Sequence, residues 1–463
     1  MHKSFQHTSL WRLCLRGCLR ASLRAISTIL ICFMLIGVVA AQTRPEPFRF
    51  GEVDLEFLDQ IKQLDKRFED QGLVYREPEL NAYVDRVGRS LLKPEDQLEN
   101  VVWQFRVMRN PALNAFALAN GSIYVFTGLL ARLENEAQLA AILAHEIIHV
   151  RNRHSYLGYR GYRKKMLTIN ILSAVGSYTG LGGSGLSLAA QFMLAISVVG
   201  YSRELEKEAD LDGAQLLAAS HYDPKAMPTA FESFLEKYEV DLDGEPFYGD
   251  HPKTKDRVAY LNEWISKSAA DREGKAAAGL SKEDYQKNVA EVTRHNIQLA
   301  IDAGLYRTAT TLGKRLVATQ PELAANLAAL ADAYAALGPR TLEPLAEEKS
   351  GQGKKEAKKR RNKLTLQEEE RTLAATPAGQ ERQKINQAEA EKLYRRAIEL
   401  EMNYPLAWRG LGELFEKQNQ SQQSIESYRK YLELQPAAMD RLMIMRRIKT
   451  LESKTTPVDK TDK

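Results

Sequence analysis

The sequence predicts an α+β fold that is mostly α: a domain with one small β-sheet and a long apolar helix, then an all-α module of repeated helix pairs. Three observations lead there. Apolar residues recur at helical spacing along most of the 463 residues. Residues 101–127 alternate instead, as strands do. Beyond residue 270 the chain turns rich in Ala, Glu and Lys, and a two-helix pattern recurs.

Residues 1–41 carry Lys3, Arg12, Arg16, Arg20 and Arg24 and no acid, with an apolar run over 25–41 that ends Val39-Ala40-Ala41. A basic start, an apolar centre and small closing residues make a secretory signal, expected to be cut after Ala41. An uncleaved anchor is the alternative, because about 17 apolar residues is borderline for spanning a bilayer. Cys14, Cys18 and Cys32 all lie in this segment, so the mature chain would have no disulfide and no thiolate chemistry. The charge lies there too. Lys and Arg number 65 against 60 acids, and removing five basic residues leaves zero, which gives no ground for nucleic-acid binding.

Two helices are expected over residues 52–92, from Leu55, Leu58, Ile61 and Leu64 and then Leu80, Tyr83, Val84, Val87 and Leu91. Pro78 suits the first turn of the second helix. Next come Val102–Val107 in alternation, then residues 115–118 and 123–126 flanking Asn120-Gly121, a strong hairpin signal. An outer strand here could lie along a cleft and pair with an extended peptide, or the sheet could be plain core.

The central helix reads His145-Glu146-Ile147-Ile148-His149 within the apolar set Leu139, Ile142, Leu143, Ile147 and Val150. Asn135 with Gln138 three residues on resembles a capping-box start. Residues four apart share a helix face, so His145 and His149 can aim two imidazoles at one ion. Zinc suits two neutral imidazoles and a carboxylate, with a fourth position left for water. Glu146, about 100° round the helix, can take that water's proton. His154 falls five residues past His149, off the metal face, in a structural or supporting place. Further on, Glu206 and Asp210 also share a helix face. One can bind metal while the other holds a histidine ring; Glu208 points away from that face.

Residues 166–202 contain no Asp, Glu, Lys or Arg, and residues 180–185 split them into halves too short to span a bilayer, which takes about 20 residues. A buried or cleft-covering hairpin is expected, with a membrane-dipping one as rival. Pro405, Trp408, Leu411, Gly412 and Phe415, then Ser424, Tyr428 and Pro436, follow the tetratricopeptide pattern. An earlier pair joins a helix over residues 323–337 to one bearing Ala390, Tyr394 and Ala397. A charged insertion at about residues 338–384 separates the two and is expected to be flexible. Domain bounds are therefore expected at 1–41, 42–270 and 271–450, with a disordered tail over 451–463.

His145-Glu146-x-x-His149 followed by Glu206-x-Glu208-Ala209-Asp210 resembles the zinc metallopeptidases that include the CAAX prenyl endopeptidases and the HtpX-type and BepA-like proteases. The likeness extends to residues 114–117, 121–130 and His251-Pro252-x-Thr254-x-x-Arg257, covering roughly residues 50–265. It implies one zinc ion on His145, His149 and Glu206, with Asp210 supporting. It also implies His251 and Arg257 at the cleft, where either could stabilise an oxyanion and His251 could instead occupy the open zinc position. The implied function is a periplasmic zinc endopeptidase that degrades misfolded or misassembled exported and outer-membrane proteins, with the repeats docking to assembly machinery. The alternative is an envelope chaperone or scaffold with a latent zinc site; a structural zinc would be closed by four protein ligands.

Overall fold

The computed structural model describes residues 48–165, 201–238, 254–268, 282–342 and 366–455. The expected leader at 1–41, almost all of the hairpin at 166–202, and His251 lie outside the described residues. The chain divides into two units, Met1–Glu52 and Val53–Lys463. In the first, the Phe48 and Phe50 rings meet edge to face at 5.1 Å. Everything below concerns the second.

Helix α1 (Glu52–Asp70) buries Phe57, Leu58, Ile61, Leu64 and Phe68 at the expected spacing. Leu55, counted with that face from sequence, is half exposed. Helix α2 (Pro78–Arg89) starts on Pro78 as expected and buries Leu80, Tyr83, Val84 and Val87. Three strands follow: β1 (Gln104–Met108), β2 (Ala115–Ala117) and β3 (Ser122–Phe126). The hairpin signal is realised as β2 antiparallel to β3. Gly121 turns it with φ +97°, where a side chain would also meet the Val102 carbonyl oxygen at 2.8 Å. β3 lies in the centre of the order β1-β3-β2, so β1 joins it in parallel, Gln104 opposite Ser122 through Met108 opposite Phe126.

A short helix α3 (Thr127–Arg132) leads into α4 (Glu136–Arg151), which carries both motif histidines. Asn135 caps α4 by accepting from the Gln138 amide at 2.9 Å, but the Gln138 side chain reaches back to the Glu134 amide at 2.8 Å, one residue short of a full capping box. Every residue from Gln138 to Val150 is buried. A helix apolar all round belongs inside a core. α4 packs against β2, α2 and the later helices α6 (Arg203–Ala219) and α7 (Ala226–Tyr238); α5 (His154–Lys165) follows it, and α8 (Thr254–Ser268) lies on α6 and α7.

Helices α9 (Lys282–Asn288), α10 (Ala290–Asp302), α11 (Tyr306–Thr319) and α12 (Ala324–Leu337) continue the chain. The apolar cluster around α4 takes in Tyr285, Val289, Val292, Ile297, Leu312 and Ala333 from these helices. Polar ties join the same surfaces: Tyr285 donates to the Leu130 carbonyl at 3.0 Å, and Arg315 to the Arg132 and Leu133 carbonyls at 3.2 Å each.

The last helices are α13 (Leu366–Ala374), α14 (Pro377–Leu400), α15 (Pro405–Lys417), α16 (Ser421–Leu434) and α17 (Arg441–Thr455). α12 packs against α14, and α15 against α16. The Tyr428 ring covers Gly412 so closely that a Cβ there would sit 2.5 Å from it. Part of the stretch expected to be flexible is helical. Residues 366–374 are helical, Thr376 caps α14 through the Gly379 amide at 3.0 Å, and the Asn386 side chain ties α14 to the Gly338 and Arg340 carbonyls. Residues 343–365 lie outside the described residues. Residues 451–455, expected in the tail, are helical instead: α17 runs to Thr455 and buries Leu451, and residues 456–463 lie outside the described residues. Among the described residues, no helix is long and apolar enough to cross a membrane.

Candidate metal centre

Helices α4 and α6 meet side by side because Gly213 of α6 lies against the backbone of His145; a Cβ there would be 3.2 Å from the His145 amide nitrogen. That approach brings three side chains to one point. The Nε2 atoms of His145 and His149 are 3.0 Å apart. Glu206 places Oε2 at 3.4 Å from the first and Oε1 at 3.7 Å from the second. All three residues are buried and together could hold a metal ion. Ligands at zinc–nitrogen and zinc–oxygen bond lengths on a tetrahedron are separated by edges of about 3.3–3.4 Å. The three separations straddle that value, so the donor set fits zinc in size as well as in chemistry.

The support for this cluster is layered. The His145 Nδ1 lies 2.9 Å from Asp210 Oδ1, so Asp210 accepts the Nδ1 proton and Nε2 faces the cluster as the atom that would bind a metal ion. Asp210 in turn accepts two hydrogen bonds from Arg257, at 2.8 and 2.6 Å, and one from the Tyr260 hydroxyl. Arg257 is fully buried and rests over the Phe231 ring at 4.2 Å. Burial alone would push the Asp210 carboxyl up, but the Arg257 guanidinium and the His145 ring outweigh it and hold it well below the usual carboxylate range. Burial likewise opposes charge on His145, yet Asp210 and Glu206 raise its pKa to about 9.

Each expected residue can now be placed. His145, His149 and Glu206 converge as anticipated, and Asp210 supports His145. Glu208 points off the cluster: it is about half exposed and accepts from Asn152 at 2.6 Å. Glu146 is buried beside the ligands. Its charge reaches Tyr201, whose phenol is pushed up first by burial and then, against the pull of a Ser155 hydrogen bond, by Glu146 and Glu206. Arg257, anticipated at an oxyanion, is placed behind the cluster on Asp210. A buried guanidinium needs a carboxylate partner, and Asp210 lies within reach. β2 is an outer strand of the sheet and packs on α4.

Two contributors were missed from sequence. Tyr201 stacks on the His149 ring, centroids 4.1 Å apart and planes 17° from parallel. Tyr260 is three residues past Arg257 on α8, and that spacing on one helix face was the available signal.

Residues 76–265 match the family model of Peptidase family M48. The mitochondrial metalloendopeptidase OMA1 of Schizosaccharomyces pombe is 30% identical over 235 residues, 49% of this chain and 66% of that one. The beta-barrel assembly-enhancing protease of Escherichia coli is 27% identical over 247 residues, 50% of each chain. A putative beta-barrel assembly-enhancing protease of Vibrio cholerae is 29% identical over 192 residues, 40% of this chain and 39% of that one. The chain thus spans from 39% to 66% of the length of these relatives. The crystal structure of yeast Tom70 aligns over 90% of this chain and 77% of that one with TM-score 0.17 and 13% identity, too distant to argue from.

Proposed function

With residues 76–265 forming a Peptidase family M48 domain, we propose that this chain is a zinc endopeptidase of the bacterial envelope. It hydrolyses peptide bonds of misfolded or misassembled exported and outer-membrane proteins. The observation that carries this reading is the convergence of two imidazole nitrogens and one carboxylate at tetrahedral spacing, with a second buried carboxylate, Glu146, next to them on the same helix. The periplasmic setting rests on the leader-like residues 1–41 and on the names of the bacterial relatives. The docking role of the helices past residue 270 rests on their tetratricopeptide-like pattern, since such faces are buried only by stacking.

Zinc, when bound, would supply a Lewis acid for the scissile carbonyl and acidify water at the open position. His145 and His149 would hold it through Nε2, and Glu206 through its carboxylate. Glu146 takes the proton from the attacking water on its carboxylate and returns it to the departing amine. Asp210, anchored by Arg257 and Tyr260, keeps the proton of His145 on Nδ1 throughout.

Metal analysis beside a casein cleavage assay tests this. Wild type and Glu146→Gln should each hold about one zinc per chain, and only wild type should cleave. A Glu146→Gln variant as active as wild type would overturn the assignment of the base. Zinc without any cleavage in wild type would favour the scaffold alternative.

A further inference from the structure

We propose that His154 is the positioning residue for His149, setting the tautomer and direction of the second imidazole ligand as Asp210 does for the first. The inference rests on the metal reading above, since it takes His149 as a ligand. If Nε2 of His149 is to offer a lone pair to the cluster, its ring proton must sit on Nδ1. The atom 2.9 Å from that Nδ1 is Nδ1 of His154. With that proton on Nδ1, His149 donates across this hydrogen-bond distance and His154 accepts. The proton of His154 is then on Nε2, which lies 3.7 Å from Glu208 Oε1, itself held by Asn152.

The local backbone serves this contact. α4 ends at Arg151, and Arg153 takes φ +58°, a left-handed conformation that a non-glycine residue adopts at a cost. The Arg153 guanidinium is anchored on the Glu99 carbonyl at 2.8 Å. This turn swings the start of α5 back, so that His154 is fully buried with its ring 4.9 Å from that of His149. Tyr201 stacks on the flat face of His149 and so fixes the plane of the ring. A face contact cannot choose which nitrogen bears the proton; His154 chooses it. The two ligand rings are therefore held unequally, one by a charged carboxylate and one by a neutral imidazole.

The test uses the full chain and reads zinc affinity by chelator competition, with urea denaturation as the check on folding. His154→Phe keeps an aromatic ring without an acceptor and should weaken zinc binding by about 10–100-fold. His154→Asn places Oδ1 close to where Nδ1 was, accepts the same proton, and should recover most of that loss. His154→Leu repeats the comparison if the Phe ring is not accommodated. A folded Phe or Leu variant that binds zinc like wild type overturns the proposal, as does an Asn variant no better than Phe. Wild type that binds no zinc at all overturns the metal reading itself, a result distinct from either.

Discussion

Asp210→Asn separates what the fold needs from what the metal needs. The Asp210 carboxylate is the meeting point of two Arg257 donors, the Tyr260 hydroxyl and the His145 ring, and both Asp210 and Arg257 are buried to about 1% exposure or less. Neutralising it takes from the buried Arg257 guanidinium the carboxylate it bonds, which costs about 3–5 kcal/mol. The amide also holds the His145 tautomer less firmly, and zinc affinity should fall by about 10–100-fold. Urea denaturation must be run with chelator present, because zinc at a hundred times its Kd would itself add about 2.7 kcal/mol and mask the comparison. The double variant Asp210→Asn with Arg257→Met removes the guanidinium as well. It should regain most of the stability and none of the zinc affinity. A loss below about 1 kcal/mol, the worth of an exposed ion pair, would refute the reasoning. So would a double variant in which stability and zinc return together.

Two further predictions concern packing and charge. Gly213→Val needs room where a single Cβ already touches His145 and Met227, so α6 must back away from α4; the cost should be about 1–3 kcal/mol, and metal analysis should find the zinc largely gone, with Gly213→Ala much milder. Asp332, beside the Tyr394 hydroxyl at 2.5 Å, has its pKa raised to about 6, chiefly by burial. A raised acid favours the fold at low pH, and that benefit is lost as pH rises through about 6. Asp332→Asn should therefore raise the melting temperature at pH 7.5 and change little at pH 4. The shift corresponds to about 3 kcal/mol, discounted to about 1–2 kcal/mol because the group is partly exposed; an equal change at both pH values would count against it.

The site was largely legible because its geometry is helical arithmetic. A spacing of four on α4 and another four on α6 specify which side chains share a face, and Gly213 lets the two faces touch. The hairpin was legible from Asn120-Gly121, a local signal. The parallel pairing of β1 was not, since it depends on where the chain crosses rather than on any short motif. The fate of Arg257 was also hidden: its guanidinium is committed to a carboxylate 47 residues earlier in the chain. Sequence marked Leu55 as core because spacing alone does not say how wide the covering surface is. The charged stretch before Asn386 read as disorder from composition, while part of it is helix capped by Thr376.

The apolar cluster that reaches from Tyr75 to Ala333 decides where this chain tolerates editing. Severing it between residues 268 and 282 would bare Tyr285, Val289, Val292 and Ile297, all at 1% exposure or less, and strip Arg315 from the carbonyls of Arg132 and Leu133. Either half made by itself would be sticky and would seek the other. Past Leu337 the apolar packing is divided into smaller parts. The later helices close over apolar clusters of their own, one between α12, α14 and α15 and another between α16 and α17. A cut after Leu337 would bare the face of α12 that meets α14 and α15, whereas loss of α17 would bare chiefly the face of α16. The end bearing the histidines is thus bound to a fixed length, and among the described helices α17 is the one whose loss the rest would feel least.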